Sequence, residues 1–105
     1  MLRVVIESPY AGDIEKNINY ARRCMVDSLK RNEAPLASHL LYTQPGILND
    51  AIEAERALGI EAGFEWLKQA EKHVFYVDLG WSKGMRYAYD LAKTRKTPIE
   101  IRKID

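Results

Sequence analysis

The chain has 105 residues, of which 47% are apolar and 30% charged, and its 16 basic and 15 acidic side chains leave a net charge of +1. This length allows one domain, and so balanced a charge excludes the concentrated basic surface that binds a nucleic-acid polymer. No apolar run approaches the roughly 20 residues of a membrane span. One cysteine and two histidines cannot supply a four-ligand zinc site by themselves, so we expect no metal, no cofactor, no disulfide and a cytoplasmic protein.

The first elements are predicted to be a buried strand and an amphipathic helix. Residues 2–7 are mostly β-branched and end before Pro9, which is typical of a buried strand. Asp13 is a candidate helix N-cap, and apolar residues recur at three- and four-residue spacing over residues 14–29. We expect this helix to end near Asn32.

The middle of the chain predicts a short strand, a loop and a long helix. The strand is expected over residues 35–41 and the loop over residues 42–50, with a short extra strand hidden in residues 42–49 as an alternative. Residues 51–71 form a helix with apolar side chains around most of its girth. Such a helix is usually buried on two sides, and in so small a domain we expect a second subunit to pack against the second side.

The last part of the chain repeats the strand-turn-helix pattern. Residues 73–77 predict a third strand, residues 82–95 a helix, and residues 99–104 a last strand after Thr97-Pro98. The order βαβαβαβ predicts an α/β fold with a parallel sheet of four or five strands and right-handed connections. The whole chain, residues 1–105, is expected to be one domain.

Ligands of open α/β sheets bind just outside the carboxyl ends of the strands, so the turn after the first strand is a candidate site. Ser8, Tyr10 and Gly12 lie there, before a helix whose N-terminus favours an anion. They could cradle a phosphate or ribose hydroxyls, or they could serve turn geometry alone. No Gly-Lys-Ser/Thr follows, so this is not a Walker loop.

The turn after the third strand is the second candidate, and we expect both turns to meet around one polar pocket with Tyr10 and Trp81 at its sides. Asp78 could accept hydrogen bonds from a base or sugar, and Trp81 could stack on a base. Alternatively, Asp78 or Ser82 is a helix cap and Trp81 a surface or interface residue. The candidate binding residues of this turn are Gly80, Trp81, Ser82 and Gly84.

Two further residues are expected at the pocket edge. His39 falls near the end of the second strand, on the ligand side, whereas His73 opens a strand and is interpreted as structural. Glu7 ends a buried strand, where it could act as a proton donor or acceptor.

Four segments together resemble a group of small phage and bacterial proteins, themselves distantly similar to nucleoside 2-deoxyribosyltransferases and nucleotide N-glycosidases. The segments are residues 7–12, 37–44, 55–60 and 80–85. The resemblance implies a nucleoside 2-deoxyribosyltransferase-like domain with a flavodoxin-like sheet, a homo-oligomer, and a nucleoside or nucleotide in the pocket. The transferases carry a glutamate nucleophile directly after a Gly-Met pair, whereas here Arg86 follows Gly84-Met85. An arginine at this helix start suits phosphate instead.

We therefore expect a protein that binds a nucleotide or nucleotide-like molecule, for sensing or sequestration. Ser8, Tyr10 and Gly12 would hold sugar or phosphate, and Arg86 would neutralise phosphate. The alternative is an enzyme that acts on the N-glycosidic bond of nucleosides or their monophosphates, with Glu7 or Asp78 replacing the missing nucleophile. A third reading is a subunit without a ligand, whose apolar helix serves only assembly.

Overall fold

One parallel sheet of four strands organises the chain, and the computed structural model describes residues 1–105. The strands are β1 (Leu2–Glu7), β2 (Glu33–Leu36), β3 (Lys72–Tyr76) and β4 (Ile99–Arg102), in the order β2-β1-β3-β4. The predicted α/β fold with a parallel sheet is confirmed, and this order is that of flavodoxin-like folds. The chain steps one way from β1 to β2 and the other way through β3 to β4. The direction therefore reverses at the carboxyl ends of β1 and β3, where such folds bind ligands.

Four helices connect the strands. They are α1 (Ile14–Lys30), α2 (Ser38–Leu41), α3 (Glu53–Leu67) and α4 (Lys83–Arg95). Because parallel crossovers are right-handed, α1 covers one face of the sheet, and α3 and α4 cover the other. None of these helices is both long and apolar enough to cross a membrane.

The alternation of side chains along the strands builds a core on each face. Val4 and Ile6 of β1 point towards α1, where they pack with Tyr20 and Cys24. On the opposite face, Phe75 of β3 packs against residues of α4. Burial raises the pKa of the Cys24 thiol to about 12, so this cysteine is unreactive packing.

The ends of α1 and α4 follow the sequence closely. Asp13 caps α1 by accepting a hydrogen bond from the backbone N–H of Lys16. Ser82 caps α4 in the same way, with the N–H of Met85 donating to its hydroxyl at 3.1 Å. Both residues satisfy N–H groups that have no partner inside the helix.

The second strand is where the prediction is wrong. Asn32 has a φ of 61°, which turns the chain early, so β2 begins at Glu33 and ends at Leu36. The residues expected to finish this strand instead form α2. Pro35 lies inside β2, where it is tolerated because β2 is an edge strand. No fifth strand forms in residues 42–49, which are turns, bends and irregular chain, and α3 is shorter than the predicted helix.

A buried ion pair joins the two edge strands beneath α1. The Arg102 guanidinium of β4 donates to both carboxylate oxygens of Glu33 in β2, at 2.8 and 2.6 Å. Ser28 of α1 and Tyr76 of β3 complete the network, at 2.7 Å from Glu33 and 3.0 Å from Arg102. The Arg102 guanidinium lowers the pKa of Glu33, although burial opposes this shift. Glu33 therefore stays charged inside the domain.

Candidate functional site

A cavity of about 400 Å³ opens at the carboxyl end of β1, between the sheet, α3 and α4. Its floor is the end of β1 with α2, one wall is a face of α3, and the other wall is the first turns of α4. The volume falls within the range of about 300 to 1,000 Å³ that small-molecule sites occupy. The cavity lies beside the point where the direction of the chain reverses, which is the expected place for a ligand in this fold.

Two glycines of α3 set the wall of this cavity. A Cβ atom on Gly63 would lie 2.7 Å from the Oγ of Ser38, and one on Gly59 would lie 3.3 Å from Leu48. Because the two glycines are four residues apart, they share one face of the helix. Because the two glycines have no side chains, α3 lies directly against α2 and against the loop that precedes α3.

The floor of the cavity is polar and consists of two hydrogen-bonded pairs. The Oγ of Ser8 lies 2.7 Å from the Nε2 of His39, and Oε1 of Glu7 lies 3.0 Å from the Nε2 of His73. His73 is fully buried, whereas Glu7 is 19% exposed and faces the cavity. His73 does not line the cavity, and its ring holds the Glu7 carboxylate.

The hydrogen-bond network also assigns the protons of this floor. The Nδ1 atoms of His39 and His73 are buried without a partner, and an unpaired ring acceptor costs less than an unpaired N–H. Both rings are therefore assigned their proton on Nε2, which leaves the hydroxyl proton of Ser8 free for a ligand. Burial lowers the pKa of His39, and the charge of Glu7 opposes this only in part, so the ring is neutral at pH 7.

Ser8 and His39 have the separation of a nucleophile and its base. In nucleophilic catalysis a third group orients the base, yet nothing contacts Nδ1 of His39. The pair is better suited to binding a hydroxyl or carbonyl group than to attacking one.

Charged side chains at the mouth of the cavity have mixed signs. Arg56 of α3 and Lys83 of α4 line it, and neither forms a hydrogen bond or an ion pair through its side chain. Three acidic residues also line it, namely Glu7, Asp50 and Glu55. With three acids and two bases, the lining disfavours a ligand that carries several negative charges.

The two candidate turns meet at this cavity through part of their residues only. Ser8 and Tyr10 come from the first turn, and Ser82 and Gly84 come from the second. Gly12 lies outside the cavity, in a neighbouring groove, with a φ of 101° that glycine adopts without strain.

Asp78 lies away from the cavity and binds the end of the chain instead. Its carboxylate accepts hydrogen bonds from the Tyr20 hydroxyl at 2.6 Å and from the N–H groups of Ile104 and Asp105 at 2.9 and 3.0 Å. Burial raises the pKa of Asp78, but these hydrogen bonds outweigh it and lower the pKa overall. The arrangement gives Asp78 a structural role rather than a catalytic or base-reading one.

Trp81 does not share the pocket with Tyr10. Its ring stacks on Phe75 at 5.4 Å and meets the edge of Tyr89 at 5.6 Å, while the guanidinium of Arg86 lies 5.9 Å from its centre. Arg86 is therefore held on Trp81 and does not line the cavity. Gly80, with a φ of 87°, serves the geometry of the turn.

Several residues of α3 and α4 line the cavity without having been predicted from the sequence. Arg56 and Lys83 are charged, and Phe64 and Tyr87 form an aromatic pair with ring centres 5.7 Å apart. The only signal for α3 was its apolar girth, which indicated a second buried surface but not what that surface faces. The four-residue spacing of Gly59 and Gly63 was the one further sign of a close approach.

The fold and the cavity define a flavodoxin-like α/β domain with a small-molecule-sized site at the switch point of its sheet. No group of three or more His, Cys, Asp or Glu side chains is placed to hold a metal ion. The chain belongs to the family described as Domain of unknown function (DUF7768), whose sequence profile matches residues 2–102. No curated protein and no solved structure matches the chain.

Proposed function

We propose that this protein binds a nucleoside or a nucleoside monophosphate in the cavity at the end of β1, as a cytoplasmic sensor or sink for that molecule. The observation that carries the proposal is the polar floor of a cavity whose walls are otherwise largely apolar. The Ser8 hydroxyl accepts the ring N–H of His39 and keeps its own proton for a ligand, which suits a hydroxyl group of a sugar. The likeness of four segments to relatives of nucleoside 2-deoxyribosyltransferases supports the same ligand class.

The walls of the cavity supply the remaining contacts. A planar base packs between the apolar side chains of α3 and α4, with the Phe64 ring as its stacking partner. A single phosphate is neutralised by Lys83 at the start of α4, where the helix N-terminus also favours an anion. Lys83 takes the place that we had expected for Arg86.

A thermal-shift screen followed by isothermal titration calorimetry tests this proposal. The probes are the common nucleosides and their 5′-monophosphates, and binding to the folded state must raise the melting temperature. We expect Ser8→Ala to weaken binding about fivefold, the effect of one hydrogen bond of about 1 kcal/mol. Thr94→Ala, which removes a surface hydroxyl bonded to Asp90, is the control and leaves the affinity unchanged. Stabilisation by none of the probes at millimolar concentration contradicts the proposal.

A second candidate function is cleavage of the N-glycosidic bond, and the position of Glu7 favours it. His73 holds one carboxylate oxygen of Glu7, while the other has no hydrogen-bond partner and belongs to a residue that lines the cavity. In that reaction the bond between C1′ and the base breaks with its electron pair leaving on the base, and Glu7 stabilises the sugar cation. Water then adds its hydroxyl to C1′, and its proton neutralises the base.

Chromatographic detection of free base separates binding from cleavage. An enzyme releases base from a nucleoside or monophosphate, and Glu7→Gln abolishes the release. Glu61→Gln is the matched control, because Glu61 is an exposed acid of α3 without an ion pair. If the protein binds its ligand without cleaving it, neither the parent protein nor the Glu7→Gln variant releases free base.

We also propose that the protein is a homo-oligomer. Two large apolar side chains of α3 that do not line the cavity are exposed in the single chain, namely Leu58 and Trp66. Light scattering after size exclusion tests this, and a monomer at micromolar concentration contradicts it.

A further inference from the structure

A second hollow, a groove of about 790 Å³, continues outward from the cavity. It runs between the turn that follows β1 and the loop of residues 43–51, which precedes α3. Seven residues line both hollows, among them Tyr10, Leu48 and Arg56. The cavity and the groove are therefore adjacent, and we refer to them together as a cleft with two compartments.

Arg56 stands at the junction of the compartments with no partner of its own. Its guanidinium forms no ion pair or hydrogen bond within the chain, and an arginine in this state is a ready partner for one anionic group. Asp50 and Glu55 line the same junction, and Glu55 also accepts a hydrogen bond from the N–H of Asn49 at 3.1 Å. Arg56 is the one cation at this junction for a phosphate, and the two carboxylates can accept hydrogen bonds from sugar hydroxyls beside it.

The outer compartment has its own surface for a flat or apolar group. Tyr10 lies at its inner side and Ile47, Pro45 and Ile14 line the rest. Ile47 is 51% exposed and Ile14 is 45% exposed, so these side chains gain burial only if something occupies the groove.

We infer that the ligand of this cleft has two parts, a nucleoside in the cavity and a second nucleoside-like unit in the groove, joined by a single phosphodiester at Arg56. The ligand class is thus a dinucleoside monophosphate rather than a mononucleotide. A diphosphate linkage would add a second negative charge to a junction that holds two carboxylates and one guanidinium, so it is repelled more strongly than a single phosphodiester. The inference rests on the proposed function, because it assigns the cavity to the first nucleoside; in the two-part ligand the phosphate lies at Arg56 and not at Lys83.

Calorimetric titration of three matched probes tests the inference. The probes are a nucleoside 5′-monophosphate, the 3′,5′-linked dinucleoside monophosphate of the same base, and the 5′,5′-linked dinucleoside diphosphate, for each common base. For the preferred base, we expect the dinucleoside monophosphate to bind at least tenfold more tightly than the other two. Ile47→Ala should weaken the binding of the dinucleoside monophosphate about fivefold and leave the affinity for the mononucleotide unchanged. Ile52→Ala is the control, because Ile52 is similarly exposed and lines neither compartment.

Each result decides between the two proposals. If the mononucleotide binds as tightly as the dinucleoside monophosphate, or if Ile47→Ala weakens both equally, the two-part ligand is refuted and the nucleotide site stands. Tighter binding of the diphosphate overturns the single phosphodiester at Arg56. If none of the probes binds, both proposals fail together.

Discussion

Replacing Asp78 by alanine distinguishes a structural role for this residue from the ligand-binding role expected from its place in the sequence. The carboxylate accepts hydrogen bonds from Tyr20 and from the backbone of Ile104 and Asp105. It thereby fastens the chain after β4 to the end of α1 that lies near the turn after β3. We expect Asp78→Ala to destabilise the domain and to leave ligand affinity unchanged.

The size of the effect follows from these contacts. Hydrogen bonds to a charged group contribute about 1.5 to 3 kcal/mol each. Asp105 is exposed and regains water when released, so only the bonds from Tyr20 and Ile104 count. Taking the lower end for both gives a loss of about 3 kcal/mol, which for a domain of this size lowers the melting temperature by roughly 12 °C.

Thermal unfolding monitored by circular dichroism measures this change, with Asp90→Asn as the control. Asp90 is an exposed acid of α4 that forms no ion pair, so its replacement should leave the melting temperature within a degree or two. The reasoning fails if Asp78→Ala melts like the parent protein. It also fails if the variant keeps its stability and loses the ability to bind nucleosides.

Three further predictions concern other parts of the molecule. Gly63→Val should destabilise the domain by about 2 kcal/mol in urea unfolding because the new side chain meets Ser38, whereas Ala57→Val on the exposed side of the same helix should cost less than 1 kcal/mol. Arg102→Met should cost about 3 to 5 kcal/mol, because it leaves Glu33 charged and unpaired, and adding Glu33→Met should recover most of that loss. Burial lowers the pKa of His39 from 6.5, so the unfolded chain binds a proton that the folded chain does not. The melting temperature should therefore fall as the pH drops below about 6.5, and His39→Gln should weaken that dependence; an equal slope in the variant contradicts the assignment.

The elements that the sequence predicts well are those whose signal is local. The spacing of apolar residues in α1, the caps Asp13 and Ser82, and the β-branched run of β1 all act within a few residues of each other. The prediction of the second strand is wrong because its start depends on one backbone angle and not on a repeated local pattern. The sequence predicts that the first helix ends near Asn32, but nothing in it shows that the strand begins at the very next residue, as the φ of Asn32 allows.

The candidate site was predictable in its position but not in its contacts. The end of β1 and the start of α4 do line the cavity, as parallel sheets predict. Polar residues at strand ends look alike in the sequence, however, and only the fold separates Glu7, which faces the cavity, from Asp78, which binds backbone 26 residues further along the chain. Arg56 reaches the site only because the glycines of α3 bring that helix close.

The ion pair between Arg102 and Glu33 has a consequence for how the chain is made. During synthesis β2 leaves the ribosome long before β4, so a nascent chain that pairs its first three strands must hold the Glu33 carboxylate without its counter-ion. Full stability arrives only once β4 has emerged with Arg102, and until then the nascent domain remains open to chaperones and proteases.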